Sequence, residues 1–137
     1  MVIADTGFWL ALANRKDRHH RGALAAIQQL DEPLVTTWPV LTETCHLLLT
    51  RIGASAEIKF VETLASGAFH VFDLEERHRP RIAKLMRDYI DLPMDLADAS
   101  LIVLAEHLGH GRILSTDVRD FGAYRWKNSR PFQNLLA

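Results

Sequence analysis

Short apolar runs alternate along this chain with longer stretches of helical periodicity. Val2-Ile3-Ala4 is an apolar run that ends at Asp5. Leu34 to Thr37, Phe69 to Phe72 and Arg112 to Ser115 repeat the form, and Phe132 to Leu135 offers a last one. Runs of this length, rich in β-branched and aromatic side chains and bounded by turn residues, predict buried strands. Helices fill the intervals. Phe8 to Asn14 is short, and Asp17 is placed to cap a helix carrying Leu24, Ile27 and Leu30 before Asp31-Glu32-Pro33 breaks it. Pro39 suits the first turn of VLTETCHLLLTRI, which Gly53 closes, and Ser55 to Ala65 follows with Gly67 behind it. Ile58 and Val61 on that last segment are expected in the core. Asp73 is placed to cap a helix from Leu74 to Tyr89, and Asp95 to cap LADASLIVLAEHL up to the Gly109 stop. Strands alternating with helices predict an α/β fold, a three-layer α/β/α arrangement around a mostly parallel sheet of about five strands.

Composition narrows the picture. With 137 residues the chain is long enough for one real core, burying about 15,000 Å² on folding, so a single domain over residues 1–137 is expected. Lys and Arg number 16 against 17 Asp and Glu, a net charge of −1, so a nucleic-acid partner has to be met by a local basic patch. One cysteine, Cys45, excludes a disulfide framework and a multi-Cys zinc site, and it reads as a small buried side chain. No apolar stretch is long enough for a membrane span and no basic leader precedes Val2, so no membrane partner and a cytoplasmic location are expected.

The acids change the picture most. Asp5 closes the first strand, Glu43 lies just inside the helix after the second, Asp98 lies in the first turn behind Asp95, and Asp117 follows the fourth strand. In an open parallel sheet, helices both before and after a strand have their N-termini at its carboxyl edge, where such folds bind ligands. All four acids are thereby brought to one edge. Asp98 has Leu101 and Ile102 at its i+3 and i+4 neighbours, and Glu43 sits between Val40-Leu41 and Leu47-Leu48-Leu49, so both carboxyls enter apolar surroundings. Two unit charges about 4 Å apart repel by roughly 4 kcal/mol at an effective dielectric of 20, so protons or a cation must resolve the crowding. Oxygen-only ligation suits Mg²⁺ or Mn²⁺ better than zinc. Each acid also has a plain reading as a helix cap or turn residue.

In VIADT, LTET, MDLADASLIVLAEHLG and RILSTDVRDF, spread in this order over essentially the whole chain, the sequence resembles the PIN-domain nucleases, and among them the short VapC-type ribonuclease toxins of toxin–antitoxin pairs. The resemblance implies a PIN-like fold and metal-dependent cleavage of RNA. It places the catalytic and metal-holding acids at Asp5, Glu43, Asp98 and Asp117, with Asp95, Ser115 and Asp120 as auxiliary residues and Mg²⁺ or Mn²⁺ as cofactor. It also implies an antitoxin protein as partner, and a homodimer. Gly7 departs from the pattern, since a Ser or Asn is usual two residues after the first Asp, and Asp120 competes with Asp117 as fourth ligand.

Two basic clusters flank the acids in sequence. Arg15, Lys16, Arg18 and Arg21 surround Asp17, and Arg119, Arg125, Lys127 and Arg130 surround Asp120, each a net of +3. Both suit RNA phosphates, with Trp38, Tyr124 and Trp126 as stacking surfaces. Rival readings are weaker. Asp5-Thr6-Gly7 matches an aspartic-protease triplet, but the helical periodicity of ALAAIQQL argues against an all-β fold. Glu43 with His46 and Glu75 with His78 match a di-iron bundle motif only if VIAD and RILSTD are helical. The alternative function is a PIN-like module, weak or inactive as a catalyst, acting through protein or RNA contacts.

Overall fold

The computed structural model describes residues 1–136. Five short strands form one parallel sheet: β1 (Val2–Ala4), β2 (Leu34–Thr37), β3 (His70–Phe72), β4 (Arg112–Leu114) and, after a separate hairpin, β7 (Gln133–Asn134). Their order is β3-β2-β1-β4-β7, with Val2 opposite Leu34 and Ile3 opposite Ile113. The hairpin strands are β5 (Arg125–Trp126) and β6 (Arg130–Pro131). The helices are α1 (Thr6–Ala13), α2 (His20–Gln29), α3 (Trp38–Arg51), α4 (Ala54–Ala65), α5 (Arg79–Asp88), α6 (Leu96–Leu108) and α7 (Val118–Ala123). The fold is the three-layer α/β arrangement that the sequence pattern predicts.

β1 is apolar and fully buried because it lies in the sheet's centre, flanked by β2 and β4. Strand order reverses there: the chain steps from β1 to β2 on one side and later returns to β4 on the other. The crevice beyond the carboxyl ends of β1 and β4 is the switch point. α6 packs on β2, α3, α5 and the hairpin, and Ala97 and Ala99 to Ala105 are all buried, as its nearly continuous apolar sequence requires. Gly109, at φ 77°, ends it in the left-handed region that favours glycine. On α1, Trp9 packs against Phe60 of α4 and Phe69 ahead of β3, with ring centroids 5.7 and 4.5 Å apart.

Several local expectations are corrected. α2 begins at His20, not directly after Asp17; the short Asp17 side chain instead accepts from the His19 N–H at 2.8 Å and shapes the preceding turn. Asp73 does not cap the next helix. It accepts from Trp38 Nε1 at 2.8 Å, while Glu75 and His78 form the capping box of a 3₁₀ turn, Glu76–His78, that leads into α5. Ile58 and Val61, expected in the core, are exposed. The β5–β6 hairpin was not legible from the pattern, because two-residue strands show no period. Its turn holds Lys127 at φ 47° and Asn128 at φ 66°. Asn tolerates that region; Lys does so less readily, and here the Lys127 N–H donates to the Glu106 carboxylate at 2.6 Å. Glu106 also grips Arg81 through two hydrogen bonds of 3.0 and 2.7 Å, tying α5, α6 and the hairpin together. No helix among the described residues is long and apolar enough to cross a membrane.

Candidate active site

Beyond the carboxyl ends of β1 and β4 opens a cavity of about 500 Å³. Six carboxylates line it: Asp5, Glu43, Asp95, Asp98, Asp117 and Asp120. The capping and site readings of these acids hold together, because the caps are what bring them there. Asp5 caps α1, its Oδ1 accepting from the Phe8 N–H at 2.9 Å. Asp95 caps α6, accepting from the Asp98 N–H at 2.8 Å, while the Asp98 carboxylate accepts from the Asp95 N–H at 3.3 Å. Asp117 caps α7 through the Asp120 N–H at 3.0 Å. Three helix N-termini therefore point their positive ends at the cavity, and α3 brings Glu43 from its second turn. Those dipoles offset part of the repulsion between the acids.

Burial decides how the acids titrate. Asp5, 5% exposed, has its carboxyl pushed up to about 6, chiefly by burial, although the Ser115 hydroxyl and the Phe8 N–H donate to it. Burial lifts Glu43 as well, against a hydrogen bond from Thr6, with Asp95 adding repulsion. Asp98 is raised to about 8 by burial first and then by the Asp95 charge. Asp120 is raised by burial and by its contact with Asp117. Tyr124 is buried against this cluster; its hydroxyl donates to the Pro93 carbonyl at 3.0 Å and lies 3.4 Å from Asp98 Oδ2, and burial pushes its ionisation up.

Among the described residues, no three His, Cys, Asp or Glu side chains are drawn together into a ready coordination cluster. The acids instead line the cavity wall. Their donor set is all oxygen, and the raised carboxyls are groups whose ionised forms need a positive partner. By that chemistry the cavity fits a hard divalent cation.

The sequence pattern described as PIN domain matches residues 2–127. The chain belongs to the PIN domain family. Ribonuclease VapC26 of Mycobacterium tuberculosis is 30% identical to it over 124 residues, which span 90% of this chain and 92% of that protein. The crystal structure of Mycobacterium tuberculosis VapC20, described as a sarcin-ricin loop cleaving toxin, shares its fold. The match has a TM-score of 0.85 at 24% identity and covers 96% of this chain and 100% of that one.

In this PIN domain Ser115, expected as an auxiliary residue, is 1% exposed, donates to Asp5 Oδ2 and accepts from the Asp117 N–H at 2.9 Å. Arg15, Lys16 and Arg18 are exposed around the α1–α2 connection, and Arg15 lines a second groove between α1, α2 and α4 rather than the acidic cavity. Arg119 is exposed on α7, whereas Arg125 is half-buried with its guanidinium on the Gly122 and Tyr124 carbonyls. The three aromatics separate sharply. Trp38 is 50% exposed, but Tyr124 and Trp126 are buried and unavailable for stacking on a base. Trp126 lies beneath Arg130 and donates to the Pro131 carbonyl at 3.1 Å. Asn134, which sequence reasoning passed over, holds the Ser115 backbone at both ends: it accepts from the Ser115 N–H at 3.1 Å and donates to its carbonyl at 2.9 Å. An Asn in a short terminal strand carries no signal of its own.

Proposed function

We propose that this PIN domain is a Mg²⁺- or Mn²⁺-dependent endoribonuclease, the toxin of a toxin–antitoxin pair, hydrolysing RNA phosphodiester bonds with Asp5, Glu43, Asp98 and Asp117. The convergence of acids from four elements on one cavity at the switch point carries this reading. The relatives named as a ribonuclease and as a sarcin-ricin loop cleaving toxin support it. Asp5, Glu43, Asp98 and Asp117 are the residues that would hold the cation. When bound, the cation supplies Lewis-acid charge at the phosphate oxygens and acidifies water. Asp5 is immobilised by its bonds to Phe8 and Ser115, so it presents a fixed carboxylate edge. Glu43 or Asp98, both partly buried at the cavity wall, is placed to orient the attacking water or take its proton. Asp95 and Asp120 orient their neighbours from the rim. Arg15, Lys16, Arg18, Arg119 and the exposed part of Arg125 are the phosphate contacts of the flanking strand, and exposed Trp38 is the stacking surface. As partners we assign an antitoxin protein and a second copy of the chain, and as location the cytoplasm.

The test is incubation of purified protein with RNA in Mg²⁺ or Mn²⁺ and in chelator. Cleavage that needs the cation and disappears in Asp98→Asn supports the reading. Cation-independent cleavage, cleavage by Asp98→Asn at the wild-type rate, or none at all overturns it.

A further inference from the structure

Among the described residues, the lining of the acidic cavity contains six carboxylates and no Lys or Arg. Its neutral side-chain donors among the described residues are Thr6 and Thr116. Thr6 is engaged with the Glu43 carboxylate, and the nearby Ser115 hydroxyl is engaged with Asp5. Thr116 has a different setting. A Cβ placed on Gly7 would lie 1.9 Å from Thr116 Oγ1 and 3.2 Å from its Cβ, and the same point is 3.6 Å from Asp5 Oδ1. The hydroxyl thus stands where a side chain at position 7 would stand, over the first turn of α1 and beside the most buried acid. Glycine in a helix is disfavoured, and here the close approach of Thr116 is what requires it. Gly7 and Thr116 are therefore one device: the missing side chain is replaced by a hydroxyl reaching in from the β4–α7 connection.

A phosphate entering this cavity meets negative charge on most sides. A cation can neutralise that charge, but the non-bridging oxygens turned away from it still need donors. The first-turn N–H groups of α1 are one source. We propose that Thr116 is a substrate-positioning residue, its hydroxyl, seated in the room that Gly7 leaves, contacting a non-bridging oxygen of an RNA phosphate at the cavity wall. This rests on the ribonuclease reading of the cavity and adds a residue to it.

The experiment compares wild type with Thr116→Val, Thr116→Ser, Gly7→Ala, Thr116→Gly and the relocated pair Gly7→Ser/Thr116→Gly. Cleavage of a single-stranded RNA is measured in Mn²⁺. Binding of a fluorescein-labelled RNA is followed by stopped-flow anisotropy before turnover, with the cavity's acids intact. Losing one hydrogen bond to a charged group predicts that Thr116→Val, nearly equal in shape and equally stable to heat, binds and cleaves roughly tenfold or more less well. Thr116→Ser should stay close to wild type, Gly7→Ala should resemble Thr116→Val, and the relocated pair should outperform Thr116→Gly alone. A phosphorothioate at the scissile position adds a readout that packing alone would not move: the difference between its two diastereomers should shrink in Thr116→Val. Wild-type binding by Thr116→Val, or failure of serine to rescue, overturns the proposal. If the protein binds RNA without cutting it, the ribonuclease reading falls and the binding series still decides Thr116. If it binds no RNA in Mn²⁺, both fall.

Discussion

Replacing Asp5 by Asn separates what this residue does for function from what it costs the fold. The carboxyl is ordinary at 3.8 and about 6 in the folded chain, raised chiefly by burial. At about 1.4 kcal/mol per pH unit, that difference is a penalty of about 3 kcal/mol on the folded state once the group is ionised. The folded protein holds this proton longer than the unfolded chain does, so stability falls as pH rises from about 4 to about 6 and stays reduced above that. Asn keeps a carbonyl oxygen to cap Phe8 and an amide to meet Ser115, but carries no charge to bury. In chelator at pH above about 7, Asp5→Asn should be more stable by about 3 kcal/mol, a rise in Tm of roughly 10 °C for a domain of this size. Near pH 4 the two proteins should melt together. Thermal unfolding followed by circular dichroism across this range measures the gap. On the proposed metal-dependent reading, the wild type should gain stability from Mn²⁺ and cleave RNA, and the variant should lose both. A variant less stable than wild type at neutral pH, or a gap that does not close in acid, would refute the reasoning: the hydrogen bonds of Asp5 would then outweigh the cost of burying it.

Asp98→Asn should cut RNA about 100-fold or more slowly, read as kcat/KM under saturating Mn²⁺. A cation held as proposed would compete with protons for the raised Asp5, Glu43 and Asp98 carboxyls, so the rise in Tm on adding Mn²⁺ should grow between about pH 5 and about pH 8; a shift independent of pH would contradict ligation by these groups. Gly111→Ala places a Cβ 2.5 Å from Trp126 Nε1 and 3.2 Å from the Phe132 Cα, and should cost about 1–3 kcal/mol in denaturant titration. Glu106→Gln weakens the grip on Arg81 and on the Lys127 N–H, and should destabilise by about 1.5–3 kcal/mol by the same measurement, with little change in the cavity's acids.

Much of this architecture is written locally. Apolar runs of three or four residues stopped by Asp5 and Asp117, helices stopped by Gly53 and Gly109, and the Asp95–Asp98 pair opening an apolar helix all depend on interactions within about one helical turn. Sequence patterning reports those directly, and parallel topology then carries the strand-end acids to a common edge. What lay beyond the pattern was contact between distant segments. Ser115 meets Asp5 from 110 residues away. Thr116 occupies the room that Gly7 leaves, Asn134 clamps Ser115, and Glu106 compensates the strained turn at Lys127. Exposure belongs to the same class: Trp38, Tyr124 and Trp126 look alike in sequence as stacking candidates, yet packing buries two and leaves the first half-exposed. Periodicity determined which residues reach the edge of the sheet. Only close packing decided which hydroxyls, amides and rings stand beside the acids there, because those distances are set by the sum of many contacts rather than by any residue's own neighbours in the chain.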